Sequence, residues 1–123
     1  LVDGQGNFGS VDGDAAGCEV KTVRLDTYFP DAKVDILKVD VEGFEEWVLR
    51  GAERLLSHPE NAPRAILVEL HPYAWNSART SSESLLKCLE HYDIRFWPAS
   101  LSVPIERYGH LFAYRRDDAI SPS

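Results

Sequence analysis

The chain has 123 residues, the length of one domain or part of one, enough to bury roughly two thirds of its unfolded surface. Hydrophobic residues at 44% and charged residues at 27% are an ordinary balance for a soluble globular protein. A net charge of −7 argues against nucleic acid or an anionic membrane as the main partner.

The opening, LVDGQGNFGSVDGDAAG, is dense in Gly and Asp and reads as turns. Gly4, Gly6 and Gly9 spell G-x-G-x-x-G, but no apolar helical period follows them. Asp12 and Asp14 would also repel a phosphate, so a nucleotide-phosphate loop is not expected here. Residues 19–25 (EVKTVRL) alternate and predict a short strand, and residues 26–31 form a connector stopped by Pro30. VDILKVDVEG follows, a β-branched apolar run suited to an interior parallel strand and broken by Gly43.

One helix is predicted over residues 44–57. Phe44, Trp47, Val48, Gly51, Ala52, Leu55 and Leu56 share a face, which makes Trp47 helix core. Glu45 and Glu46 sit in its first turn, where the helix dipole favours them, and Glu46 and Arg50 form an i,i+4 pair. Residues 65–70 (AILVEL) read as a second buried strand, stopped by Pro72. The spacing from Thr80 to Glu83 predicts a capping box and a second helix with Leu85, Leu86, Leu89 and Tyr92 on one stripe. Residues 94–97 and 110–115 read as closing strands, and residues 117–123 as a polar tail. The alternation of strands and helices predicts an α/β fold with a parallel sheet.

Cys18 and Cys88 form no C-x-x-C pair and read as free thiols in a reducing cytoplasm. No apolar run approaches the ~18 residues of a membrane span, and no signal-peptide pattern is visible. The first residue is Leu rather than Met, which reads as a truncated start.

Two strands end in acids: the first at Asp40, Glu42 and Gly43, the second at Glu69 and His71. In an open α/β sheet, ligands sit at the carboxyl ends of strands. Asp40 and Glu42 are two apart, so on a strand they point to one side. Each also has a plainer reading. Asp40 caps the next helix, Glu42 acts through the dipole, Glu69 is a buried acid paired with Lys38 or another base, and His71 only ends the strand. Tyr73 and Trp75 line a pocket or pack, and His58, His91 and His110 read as surface or packing residues.

Two resemblances are visible. Residues 1–16 resemble, nearly residue for residue, a segment of the A subunit of DNA gyrase and topoisomerase IV. No later stretch does, so DNA cleavage is not implied. From about residue 20 to 113 the chain resembles the FkbM-type family of S-adenosylmethionine-dependent methyltransferases. VRLDTYF, VDILKVDVEGFEEWVLRGAERLL and AILVELHPYAW match its Leu-Asp element, its K-[IV]-D-V-E-G strand end, its V-L-x-G-A helix and its V-E-x-H strand end, in order.

That resemblance implies the carboxyl-terminal half of a Rossmann-like class I methyltransferase sheet, mostly parallel with an antiparallel last strand. The implied organisation is a leader at 1–18, a partial methyltransferase domain at 19–116 and the tail at 117–123. The implied activity is O-methylation of a sugar or polyketide-like small molecule in the cytoplasm. Asp40, Glu42, Glu69 and His71 become catalytic candidates, and Asp26 and Gly43 cofactor-binding candidates, although Asp26 also suits a backbone bond in the connector. A carboxylate or His would deprotonate the acceptor, or carboxylates with His71 would hold a divalent cation that acidifies it. The family's cofactor-holding half has no match in this chain, so weak or no S-adenosylmethionine binding is expected. VDILKVDV should then lack one neighbour, leaving an edge open to self-association. The alternative is a non-catalytic α/β remnant or interaction module.

Overall fold

A computed structural model describes residues 6–8 and 17–116 of the chain. The predicted tail at 117–123 and most of the opening segment lie outside the described residues. Within the opening, β1 (Gly6–Phe8) is a strand, paired antiparallel with β2 (Val20–Thr22), where turns were expected. Glycines weaken a strand signal, and three residues are too few to show alternation. β2 stops short of the predicted Leu25, because α1 (Leu25–Tyr28) takes the LDTY residues.

β3 (Ile36–Val39) and β4 (Ala65–Leu70) pair in parallel. β6 (Gly109–Arg115) lies between β4 and β5 (Tyr92–Trp97), antiparallel to both, giving the order β3-β4-β6-β5. Three strands therefore run one way, and the last in sequence opposes them. This agrees with the expected directions, although only one of the three pairings is parallel. Among the described residues β3 lies at one edge of this sheet, bonded to β4.

One sheet face carries Val39, Ile66, Val68, Leu111 and Ala113, all buried. They pack with Leu49, Ala52, Leu56, Trp75, Leu85 and Leu89 from the helical segments into one core. The other face carries Leu67 and Phe112, half-buried, and Ile36 and Trp97, which are exposed.

The single predicted helix is two: α2 (Glu45–Arg50) and α3 (Glu53–Ser57). An unbroken helix would bond the Arg54 and Leu55 N–H groups to the Arg50 and Gly51 carbonyls. Here all four partners are taken from outside. The Asp26 carboxylate accepts from Arg54 N (2.8 Å) and Leu55 N (3.0 Å). The freed Arg50 and Gly51 oxygens accept from the Arg24 guanidinium and the Asp26 N–H, each at 2.9 Å. The apolar period continues across the break, which is why the pattern reads as one helix.

After β4, a 3-10 turn (Pro72–Ala74) leads into α4 (Trp75–Ala78). α5 (Ser82–Lys87) starts one residue later than the predicted box: Ser81 is the N-cap, and its reciprocal partner is Ser84. The Ser84 hydroxyl also donates to Glu46, tying α5 to α2. Tyr92, expected on the helical stripe, is the first residue of β5 and donates its hydroxyl to the Pro63 carbonyl at 2.8 Å.

Candidate functional site

The acids after β3 and the residues ending β4 meet, because β3 and β4 lie side by side and end together. His71 is 5% exposed, and its Nε2 looks out on three carboxylates: Glu69 at 3.1 Å, Asp40 at 3.8 Å and Glu42 at 3.9 Å. All four predicted catalytic candidates are therefore brought to one place. The reason differs from strand alternation. β3 ends at Val39, and Glu42 turns back toward His71 with φ +52°, followed by Gly43 at φ +105°. A side chain at Gly43 would be strained by that backbone and would overlap the Ala74 methyl.

Glu45 anchors the cluster from beneath and has no exposed surface. Its Oε1 faces His71 Nδ1 at 2.7 Å and accepts the Gly43 N–H at 2.8 Å; its Oε2 accepts the Trp75 indole N–H at 2.7 Å. Sequence reading placed Glu45 in a first turn where the helix dipole favours an acid. Its burial depends on Trp75 and His71 arriving from another strand end, which i,i+3 spacing does not show. Trp75 is thus core rather than pocket lining. Trp47 is half-buried and donates its indole N–H to the Ala78 carbonyl at 2.8 Å.

Two tyrosines frame the opening. Tyr73, 74% exposed, donates its hydroxyl to Glu42 (2.6 Å), and Tyr108 donates to Glu69 (2.9 Å). Both rings stand edge-on to His71, with centroids 6.0 and 5.9 Å away. His110, read as a surface or packing residue, instead places Nε2 3.4 Å from Glu69. It sits opposite Glu69 in the β4–β6 register, and only that pairing reveals it. Tyr108 carries no sequence signal beyond its nearness to His110. His58 accepts the Glu60 and Asn61 N–H groups in a turn, and His91 is exposed beside Glu90.

Glu69 does not pair with Lys38, whose register partner is Leu67 on an exposed stretch of β3. Among the described residues, the ion pairs of Asp40, Glu42 and Glu69 are to histidines alone. The neighbouring Glu69 carboxyl pushes Asp40 above the usual carboxylate range, partial burial adding to it. Hydrogen bonding from Asp40 and the Tyr108 hydroxyl holds Glu69 below that range. At His71, burial opposes the imidazolium, but the Glu45 carboxylate on Nδ1, helped by Glu42 and Glu69, outweighs it and raises the pKa. The phenols of Tyr73 and Tyr108 are raised by their bonds to Glu42 and Glu69.

Asp26 and Gly43, the two residues the resemblance assigns to the cofactor, have their polar groups committed to the protein. Asp26 gives both oxygens to the α3 backbone, and Gly43 gives its N–H to Glu45. Gly43 allows a close approach, but to Ala74 rather than to a ligand. These two residues do not fit the binding of S-adenosylmethionine.

The model of the methyltransferase FkbM domain matches residues 3–97. The matched span takes in β1 and the KVDVEG and VELH strand ends, and stops at the end of β5. No curated protein and no solved structure matches. With more than half of its 123 residues inside that match, the chain belongs to the FkbM methyltransferase family.

Proposed function

We propose that the chain serves S-adenosylmethionine-dependent methyl transfer to a hydroxyl of a sugar or polyketide-like small molecule. In this reading it supplies the acceptor side of a class I methyltransferase sheet. Family membership supports methyl transfer, and the last strand lying antiparallel between β4 and β5 supports the class I reading. The single observation that carries the acceptor role is the convergence of Asp40, Glu42 and Glu69 on His71 Nε2, all within 3.9 Å, at the carboxyl ends of β3 and β4.

An alcohol becomes a nucleophile only as its proton leaves, so the site must orient the hydroxyl and accept that proton. The reading gives the proton to a carboxylate of the cluster and lets the Tyr73 and Tyr108 rings bracket the acceptor. Glu45 is a positioning residue: it fixes His71 and touches nothing at the opening. The commitment of Asp26 and Gly43 to the protein favours a second reading, a non-catalytic module.

The test is transfer of a tritiated methyl group from S-adenosylmethionine to a panel of sugars and polyketide alcohols by the protein in its natural full-length form. Asp40→Asn and Glu69→Gln, both at solvent-reachable positions, are expected to lower transfer at least a hundredfold with the fold intact by circular dichroism. Unchanged transfer in both variants rejects the acceptor-site assignment, and no transfer to any alcohol favours the non-catalytic module.

A further inference from the structure

We propose that Trp97 is the platform on which a sugar ring of the acceptor stacks, and that the acceptor is a glycan of at least two rings, the ring beyond Trp97 presenting its hydroxyl at Glu69. The inference rests on the acceptor-site reading and adds to it a specificity-determining residue and a substrate class.

Of the three tryptophans, two have settled places. Trp75 is buried with its indole N–H on Glu45, and Trp47 gives its own to Ala78. Trp97 is 64% exposed, and among the described residues nothing accepts its N–H. A ring of that size left in water gains free energy from whatever apolar surface covers it.

The strand register fixes where Trp97 lies. The β4–β6 pairing sets Glu69 opposite His110, and the β5–β6 pairing sets His110 opposite Trp97. Residues directly opposite share a face, so Trp97, His110 and Glu69 form one row across three strands. Ile66, Val68 and Leu70 take the core face of β4, which puts this row on the other face. Two strand spacings separate Trp97 from Glu69, about 10 Å. The row ends at the site already described, since Glu69 Oε2 is 3.1 Å from His71 Nε2. Tyr108 stands edge-on to His110 (5.5 Å) and to His71 (5.9 Å), so aromatic surface accompanies the row to its end.

The composition of the row selects the ligand. A pyranose has a face of C–H bonds and a rim of hydroxyls. The face covers the indole, and the rim meets the polar groups of His110 and Glu69. An apolar protein surface laid over Trp97 would instead desolvate the Glu69 carboxylate and bring it no new donor. A polyketide chain does not offer hydroxyls along the whole row. The span from Trp97 to Glu69 is longer than one pyranose ring, so the ring that stacks is not the ring that is methylated.

The experiment uses the protein in its natural full-length form. Cellobiose, lactose and maltose are the two-ring probes, and methyl glucoside and methyl galactoside the one-ring probes. Trp97→Ala, with the fold intact by circular dichroism, is expected to raise KM for methylation of two-ring acceptors about tenfold and to leave kcat within about twofold. Trp97→Phe should restore most of the loss, and KM for one-ring acceptors should stay within about twofold in both variants. A saturating disaccharide should also halve acrylamide quenching of the emission component that Trp97→Phe removes. KM unchanged by Trp97→Ala, or raised equally for one-ring and two-ring acceptors, overturns the proposal. Quenching untouched by every disaccharide overturns it too, whether or not any probe is methylated. If disaccharides shield Trp97 but Asp40→Asn and Glu69→Gln transfer methyl groups normally, the platform stands and the acceptor assignment fails. If those two variants lose transfer while Trp97→Ala keeps its KM, the platform fails and the acceptor site stands.

Discussion

Glu45 Oε1 lies 2.7 Å from His71 Nδ1, and neither residue is on the surface. This contact joins the helix after β3 to the end of β4 and sets which imidazole nitrogen faces the opening. Because Glu45 answers three buried donors, removing it leaves all three unpaired. Glu45→Ala is expected to cost about 3–5 kcal/mol, the usual loss when one partner of a buried charged contact is deleted. Glu45→Gln keeps one acceptor oxygen and should cost about 1–3 kcal/mol. Urea unfolding measures both, and a midpoint unchanged by Glu45→Ala contradicts the network.

The turn after β3 makes a second prediction. Gly43 combines φ +105° with contact against Ala74, so Gly43→Ala adds backbone strain and overlap together. The expected loss is about 1–3 kcal/mol. Ala74→Gly removes the overlap but not the strain. A double-mutant cycle should therefore show a favourable coupling of about 0.5–3 kcal/mol, with the double variant still less stable than Ala74→Gly alone. Strict additivity in the unfolding data rejects the contact.

The sequence made the strands and their ends legible because each is a local pattern. AILVEL reads as a strand and is one over the same six residues, and the acids of KVDVEG and VELH mark two neighbouring strand ends. Residues whose role comes from another part of the chain were not legible. Glu45 looks like a dipole-favoured first-turn acid until His71 and Trp75 reach it, and His110 looks like a surface or packing residue until β6 slots in beside β4. The break between α2 and α3 was hidden for the same reason: its cause, Asp26, lies 28 residues before Arg54.

Alkaline pH should unfold the protein through Tyr92 and Cys88. Burial pushes the Tyr92 phenol from 10.0 to about 12 and the Cys88 thiol from 9.0 to about 11. Above its ordinary pKa each group ionises in the unfolded chain while the folded chain still holds the proton. The unfolded state then binds fewer protons, so stability falls as pH rises, from about 9 to 11 for Cys88 and about 10 to 12 for Tyr92. Tyr92→Phe should flatten the fall between about pH 10 and 12, while losing about 1 kcal/mol at neutral pH with the bond to Pro63. An unfolding curve equally steep in that range for both proteins rules this out.

Asp26 offers the sharpest separation of structure from chemistry. Its carboxylate stands where two helical carbonyls would otherwise stand, accepting from Arg54 and Leu55, while its own N–H and the Arg24 guanidinium satisfy the carbonyls left behind. Asp26→Ala removes the acceptors for both amides at once. The expected cost is about 1–2 kcal/mol, the range for losing a helix N-cap, and the Arg54 and Leu55 amides should exchange with solvent faster than their neighbours in α3. Asp40, Glu42 and His71 are built on other contacts, so the His71 ring resonances should keep their chemical shifts. Amide exchange by nuclear magnetic resonance, with the imidazole resonances of the same sample, reads both halves. Protected amides at Arg54 and Leu55 would mean that α2 and α3 had closed into one helix without Asp26. Shifted His71 resonances would mean that the Leu-Asp element reaches the acid cluster after all.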